Sequence, residues 1–508
     1  MQRLTIVGSG PAGFYTAARL LGRLPERLAI DMFEKYPIPH GLVRYGVAPD
    51  HPEVKSVINR FDEVANHPNF RYFGNVNIGQ DLSLSELRHL YDRVVLAYGA
   101  SQDKLLGLTG EETTRGVMSA REFVAWYNGH PDFQNLSIDL TSTDTAVVIG
   151  QGNVALDVAR VLLSPLDTLA KTDITENALE HLRRSKIRHV RVVGRRGPAQ
   201  MQFTTKEFRE MLHIPGLRLA VDRDLVTHEL NRAKHHIAKQ RPLKRMTDLF
   251  YKHMDSALPS RDAKAQGSDK TWTLDFLQSP RELIRNPLDQ PLDRLTHALQ
   301  GTAVEHNQLV GPIDNPRAEG TGVVENVETG LLLRSIGYRS LSLDPTLPFD
   351  TRQCIIPNAS GRILTQNQPS STYVEDNTRD ASPNTVLPGM YVSGWLKRGP
   401  SGIIVSTMSD AFETAESILQ DIESNQSTCR TTSETSSSSL VTELDGAVPD
   451  KSESADVSDR LADRGVQVVT YADWKKLEAL EYAQGATRGK PREKITDVAK
   501  MLDLVRST

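Results

Sequence analysis

Leu4-Thr5-Ile6-Val7-Gly8-Ser9-Gly10-Pro11-Ala12-Gly13 reads as a short apolar strand running into a glycine turn. Phe14 to Leu24 then carries a helical pattern, and Leu28 to Phe33 gives a second strand ending at Glu34. Strand, turn, helix and strand in this order make a βαβ unit, with a parallel sheet and a right-handed crossover. Gly8 permits the tight turn, Gly10 lets backbone approach a pyrophosphate, and Gly13 lets helix and strand pack closely. The helix start offers free N–H groups and the positive end of the helix dipole. An acid about 20 residues on, here Glu34, suits the two hydroxyls of a ribose without a 2′-phosphate.

A second unit opens at Thr145. Ala146-Val147-Val148-Ile149 precedes Gly150-Gln151-Gly152-Asn153-Val154-Ala155, a helix follows to about Leu163, and residues 164 to 188 read as inserted helix. The next strand, Val190 to Val193, leads through Gly194 to Arg195-Arg196 in place of an acid. Two guanidiniums suit a 2′-phosphate, whose oxygens they grip as forks, and a carboxylate there would repel it. One loop thus prefers a 2′-hydroxyl nucleotide and the other a 2′-phosphorylated one, a division that FAD and NADP(H) fit.

Working outward, strand-like runs at Val94 to Ala97, Leu331 to Ser335 and Met390 to Val392 end in small residues. Two of these follow the second unit. The expected fold is therefore α/β with two Rossmann-like dinucleotide-binding domains, the NADP domain inserted into a discontinuous FAD domain. The boundaries read as 1–103 and 331–424 for the FAD domain and 104–330 for the NADP domain. A Ser/Thr-rich stretch over 425–457 reads as a disordered insertion, residues 366 to 386 as a second solvated one, and 458–508 as a C-terminal segment packing on the FAD domain.

Composition narrows the function. The 508 residues are 38% hydrophobic and 24% charged, with a mean hydropathy of −0.39, as in a water-soluble globular protein. No apolar stretch approaches the roughly 20 residues that span a bilayer, so any membrane role is peripheral. A net charge of −4 argues against non-specific nucleic-acid binding. Cys354 and Cys429, 75 residues apart, provide neither a disulfide framework nor four ligands for an iron–sulfur cluster. The histidines are scattered, and no metal site is expected. A strand beginning at Arg3 or Leu4 shows no leader, which reads as a cytosolic chain or one lacking its leader. Arg232, Lys234, Lys239, Arg241, Lys244, Arg245 and Lys252 form a dense basic run that would steer an acidic partner, unless it is simply a solvated helix.

Ile38-Pro39-His40-Gly41-Leu42-Val43-Arg44-Tyr45-Gly46-Val47-Ala48-Pro49-Asp50-His51-Pro52 resembles a signature of the NADPH:adrenodoxin oxidoreductase family, the mitochondrial ferredoxin–NADP reductases. So do Gly150 through Arg160, Val193 to Gly197 with Phe203-Thr204 and Lys206-Glu207, Ser335 to Tyr338, Ser393 through Ile404, and the tail from Trp474 to Lys494. The resemblance implies an FAD enzyme that takes a hydride from NADPH and passes single electrons to an acidic two-iron, two-sulfur ferredoxin, in mitochondria. It implies FAD contacts at Ala12, Glu34, Leu42, Ile78, Trp395, Gly402, Ile403 and Ile404. It implies NADP contacts at Gln151, Gly152, Asn153, Val154, Arg195, Arg196, Glu207 and Gly402, and a proton-handling role for His51 and Asp157. Arg241, Lys244 and Arg245 become the partner-binding candidates. The family pattern often has Phe where His40 stands and Val where Ile78 stands. A disulfide reductase would need a cysteine pair beside the flavin. A flavin monooxygenase or a non-catalytic nucleotide-binding protein has no motif of its own here.

Overall fold

A computed structural model describes residues 1–259, 270–365, 385–402, 404–424 and 456–507. The polar stretches at 366–384 and 425–455, and Ile403, lie outside the described residues. Val457, expected at the end of the Ser/Thr-rich insertion, instead starts the helix Val457–Asp463.

The first βαβ unit forms as read. Strand Gln2–Val7 is completely buried from Leu4 onward, and the helix Pro11–Arg23 starts with proline at its first position, where the missing N–H has no intrahelical partner to lose. This strand lies between Leu28–Phe33 and Arg93–Leu96, parallel to both. Phe70–Phe73 extends one edge; Val386–Val392, Arg362–Leu364 and Asn358–Ala359 extend the other into a seven-stranded sheet. Helix Ile404–Glu423 packs on the same face as Pro11–Arg23, sharing a core with Phe14, Leu20, Ala411 and Ile418.

A second seven-stranded sheet is parallel throughout, in the order Leu258–Pro259, Leu217–Val221, Lys270–Asp275, His189–Val193, Thr145–Ile149, Leu331–Arg334, Val117–Ser119. This corrects the domain boundary at residue 331. Leu331-Leu332-Leu333 is fully buried beside Thr145–Ile149 and belongs to the second domain. A continuous apolar run suits any strand buried on both faces, so pairing rather than sequence decides which sheet receives it. The chain crosses out at Gln102–Asp103 and returns at Tyr338–Arg339, and these two short strands pair antiparallel. Three long antiparallel strands, Gln278–Leu292, Leu295–Val310 and Arg317–Glu328, form a further sheet that was not read from the sequence.

The C-terminal segment joins the first domain's core through Tyr471, Trp474, Leu477, Ile495 and Met501. It is pinned by Glu481, whose carboxylate grips the Arg44 guanidinium in a bidentate pair at 2.5 and 3.0 Å, both side chains buried. Removing one partner of such a pair strands a buried charge, at about 3–5 kcal/mol. The segment also reaches the second domain. Lys494 Nζ lies 3.1 Å from Asp173, Lys490 Nζ donates to the carbonyl of Ile174, and Glu493 accepts from the backbone of Glu176. It is therefore a strap across both domains, more than a layer on the first.

Candidate active site

At the first glycine turn, each glycine has a distinct environment. Gly8 has φ +107°, and a Cβ added there would lie 2.7 Å from the carbonyl oxygen of Ala97. A Cβ on Gly13 would lie 2.2 Å from the Gly8 carbonyl oxygen, so helix and strand are in direct backbone contact. Around Gly10 nothing lies within 4 Å of an added Cβ. The turn is closed on its protein side and open where a pyrophosphate would sit. Glu34 points into this turn, accepting from Ser9 N at 3.0 Å and Ser9 Oγ at 2.6 Å on one oxygen and from Tyr36 N at 3.3 Å on the other. Burial pushes its carboxyl up, and the Ser9 hydroxyl and the backbone N–H groups oppose that.

Other candidate flavin residues gather at the same end of the sheet. Gly394 has φ +77°, and an added Cβ would lie 2.5 Å from the Ala12 side chain, which brings Trp395 onto the glycine helix. Gly41 backs onto Gly10, so Leu42 opens its short helix Leu42–Tyr45 beside the loop. Gly402, with φ +83°, leads into the helix that begins at Ile404. Ile78 is buried in the cluster containing Val7, Phe33 and Leu396, beneath the turn.

The second turn repeats the pattern. Gly150 has φ +122°, with an added Cβ 2.2 Å from the Ser335 carbonyl oxygen, and Gly152 faces open space. Gln151 turns its side chain away, Nε2 donating to the carbonyls of Val192 and Asp275 at 3.1 and 3.0 Å. Asn153 Oδ1 accepts from Thr204 N at 2.9 Å, and Glu207 pairs with the Thr204 hydroxyl, so Asn153 and Glu207 lie together. Val154 follows, half-buried, on the helix Asn153–Leu163. Arg195 is exposed and Arg196 half-buried, and neither guanidinium pairs with a carboxylate among the described residues.

A short chain of contacts links the two turns. Ser335 abuts Gly150, and three residues on the Tyr338 ring lies 5.4 Å from that of Trp395, next to Gly394 and hence Ala12. His51 and Asp157, from different domains, come together in the same region. His51 Nε2 lies 2.7 Å from Glu210 Oε2, and buried Arg160 joins Asp50, at 2.6 and 3.0 Å, to Asp157 at 2.7 Å. Burial pushes the Asp157 carboxyl up, and the Arg160 guanidinium pulls it back. Sequence reading did not find Asp50, Arg160 or Glu210. Arg160, three residues after Asp157 on one helix face, carried a local signal; Glu210 carried none.

A model of the pyridine nucleotide-disulphide oxidoreductase family matches residues 2–213. The chain is 43% identical over 506 residues to the mitochondrial NADPH:adrenodoxin oxidoreductase of Salvelinus fontinalis, which covers 99% of this chain and 91% of the relative. The Homo sapiens counterpart is 41% identical over 506 residues, covering 99% and 92%. Mycobacterium tuberculosis FprA in complex with NADPH superposes with a TM-score of 0.80 at 34% identity, covering 99% of both chains. The chain belongs to the NADPH:adrenodoxin oxidoreductase family. Its two Rossmann-like domains are those of a flavoprotein oxidoreductase whose cofactors are FAD and NADP(H).

Within this family framework, His40 stands out. It has φ +84° and is completely buried among Phe14, Phe61, Tyr471 and Trp474. Its Nε2 lies 3.1 Å from the Tyr471 hydroxyl, which in turn donates to Asp62 Oδ1 at 2.5 Å. Burial, reinforced by the Arg44, Arg492 and Lys475 cations, holds His40 well below the usual imidazole range. With a folded pKa below the unfolded value, the unfolded chain binds the extra proton. The resulting stability is full above about pH 6.5 and falls by up to about 1.4 kcal/mol per pH unit below it. His40→Phe is expected to lose less stability than the wild type between pH 6.5 and 5.5, by about 1 kcal/mol, in denaturant titrations at each pH. Parallel curves for the two proteins would remove His40 from the acid response.

The basic run forms the helices Arg223–Arg232, Lys234–Lys239 and Arg241–Met254. On the last helix Met246, Thr247, Phe250 and Met254 are buried, the three apolar ones in the second domain's core, and Arg241, Lys244 and Arg245 are exposed, with no ion pair among the described residues. Arg232 differs, since it donates to the Leu309 carbonyl and lies 3.5 Å from Glu229. Among the described residues no helix is long and apolar enough to cross a membrane, and no group of side chains could hold a metal ion.

Proposed function

We propose that this chain reduces an acidic two-iron, two-sulfur ferredoxin with electrons from NADPH, in the mitochondrial matrix and peripheral to the inner membrane. The carrying observation is the pairing, through the contacts that link the two domains, of an open glycine turn backed by a carboxylate with another followed by two guanidiniums that no described carboxylate pairs. When bound, FAD supplies a two-electron acceptor for the nicotinamide hydride and a one-electron donor for the ferredoxin.

The chain's residues bind and orient. Gly8, Gly10 and Gly13 present the helix Pro11–Arg23 to the flavin pyrophosphate, and Glu34 accepts from the adenosine ribose. Ala12, Leu42, Ile78, Trp395, Gly402 and Ile404 form the remainder of the flavin site. Gly150 and Gly152, with the backbone of Gln151, Asn153 and Val154, receive the NADP pyrophosphate. Arg195 and Arg196 take the 2′-phosphate, and Glu207 flanks the nucleotide. His51 Nε2 and Glu210 Oε2 meet 2.7 Å apart beside Asp157, whose carboxyl burial pushes up against the opposing pull of the Arg160 guanidinium.

Arg241, Lys244 and Arg245 receive the ferredoxin. Exposed like charges that are not neutralised locally steer an acidic partner and weaken as salt rises. NADPH is expected to bleach the yellow protein and drive reduction of an adrenodoxin-type ferredoxin. Arg241→Glu with Arg245→Glu is expected to lower kcat/KM for the ferredoxin about tenfold or more at low salt, while NADPH–ferricyanide activity stays within about twofold. An unchanged ferredoxin rate in that variant would place docking elsewhere.

A further inference from the structure

The Arg195 and Arg196 side chains have no described partner to aim them, so their direction depends on the backbone of the turn that carries them. That turn is held from the antiparallel sheet, one carbonyl after another. The Gly194 carbonyl accepts from Gln278 N at 3.0 Å, and the Arg196 carbonyl from Leu277 N at 3.1 Å. The Arg195 carbonyl, between them, accepts from a side chain, Asn307 Nδ2, at 3.2 Å.

Asn307 is itself fixed on three counts. Its backbone N–H donates to the Leu277 carbonyl at 2.7 Å, and Nδ2 also donates to Ser279 Oγ at 2.8 Å. It is also buried and follows the register shift between Glu305 and Asn307, where the strand Leu295–Val310 slips against its neighbour. Such a slip re-aims a side chain, here onto the arginine turn. Leu277, at φ +54°, completes the tie with a left-handed backbone that a leucine rarely adopts.

We infer that Asn307 is a positioning residue for coenzyme choice, fixing the Arg195–Arg196 turn so that its guanidiniums meet a 2′-phosphate. This rests on the proposal that those arginines bind that phosphate. Asn307→Leu keeps the branched four-heavy-atom outline, in a somewhat bulkier side chain, and removes the donor, leaving the Arg195 carbonyl unheld. KM for NADPH is expected to rise about tenfold with kcat within about twofold, and KM for NADH to change less than about twofold. Binding of 2′,5′-ADP should weaken in step, while that of 5′-AMP should not. A general loosening of the fold would move both coenzymes alike, and that result, or an undiminished preference for NADPH, overturns the inference.

Ser279→Ala is a milder second variant, because it frees the Asn307 amide without touching the turn; about a threefold rise in KM for NADPH alone is expected. If Asn307→Leu does not fold, an unchanged KM in Ser279→Ala overturns the inference. The arm with both arginines changed to alanine separates the two claims. If it weakens the two coenzymes equally, the phosphate site itself is wrong and the inference falls with it. If it abolishes discrimination while Asn307→Leu retains it, only the role of Asn307 is overturned.

Discussion

Gly13→Val is expected to purify nearly free of flavin, with less than about a tenth of the wild-type FAD per chain by visible absorbance, because the new side chain separates the two elements that shape the pyrophosphate site. A Cβ at residue 13 would stand 2.2 Å from the Gly8 carbonyl oxygen and 3.3 Å from Ile6 Cγ2. The backbone cannot retreat, since Gly8 is itself wedged against Ala97. The helix Pro11–Arg23 must therefore lift from the strand Gln2–Val7, carrying Ala12 off Gly394 and turning its N–H groups away from the phosphates. Overpacking of this kind costs about 1–3 kcal/mol, small enough for the apoprotein to fold. Gly10→Ala makes the contrast, because its Cβ meets nothing in the protein and intrudes only on the ligand's space. It should match the wild type in the stability of the apoprotein and still bind FAD more weakly. Full flavin content in Gly13→Val would show that contact between strand and helix does not shape the site.

The same distances show why this part of the molecule could be read from sequence. A turn with φ above zero, a helix start and a charged residue at the next strand's end are set by neighbours a few residues apart or by one crossover. Glycine positions, Glu34 and Arg195-Arg196 therefore carried their meaning locally. Leu331-Leu332-Leu333 did not, because a fully apolar strand fits either sheet and only its pairing with Thr145–Ile149 assigns it. The sheet from Gln278 to Glu328 was obscured by Pro280, Pro287 and Pro291 in one strand and by Gly320 and Gly322 in another, which resemble turns. Its register shifts break the alternation that identifies a strand. Arg44 and Glu481, 437 residues apart, and His51 and Glu210, 159 apart, meet only through the finished fold. The sequence therefore disclosed the glycine turns and charged strand ends that we propose grip the coenzymes. It did not disclose what aims them.

Changing Arg195 and Arg196 together to alanine is expected to raise KM for NADPH about a hundredfold and KM for NADH no more than about threefold, with kcat for NADPH little altered. Hydrogen bonds to charged groups contribute about 1.5–3 kcal/mol each, and two that share one phosphate fall short of full additivity, so about 3 kcal/mol is the scale of the loss. KM rather than kcat should move, because a 2′-phosphate sits far from the hydride and is gripped equally before and during its transfer. The arginines suit the task because no described carboxylate competes for them. Burial and the neighbouring Arg195 charge push Arg196 down from its ordinary value, yet a guanidinium stays charged at any working pH. That mutual repulsion favours an incoming dianion, which relieves it. The NADPH preference of the wild type should shrink as salt rises, whereas the double variant should show little salt dependence. Equal losses for NADPH and NADH would mean that the pair supports the turn without touching the phosphate, and the second nucleotide pocket would need another source of selectivity.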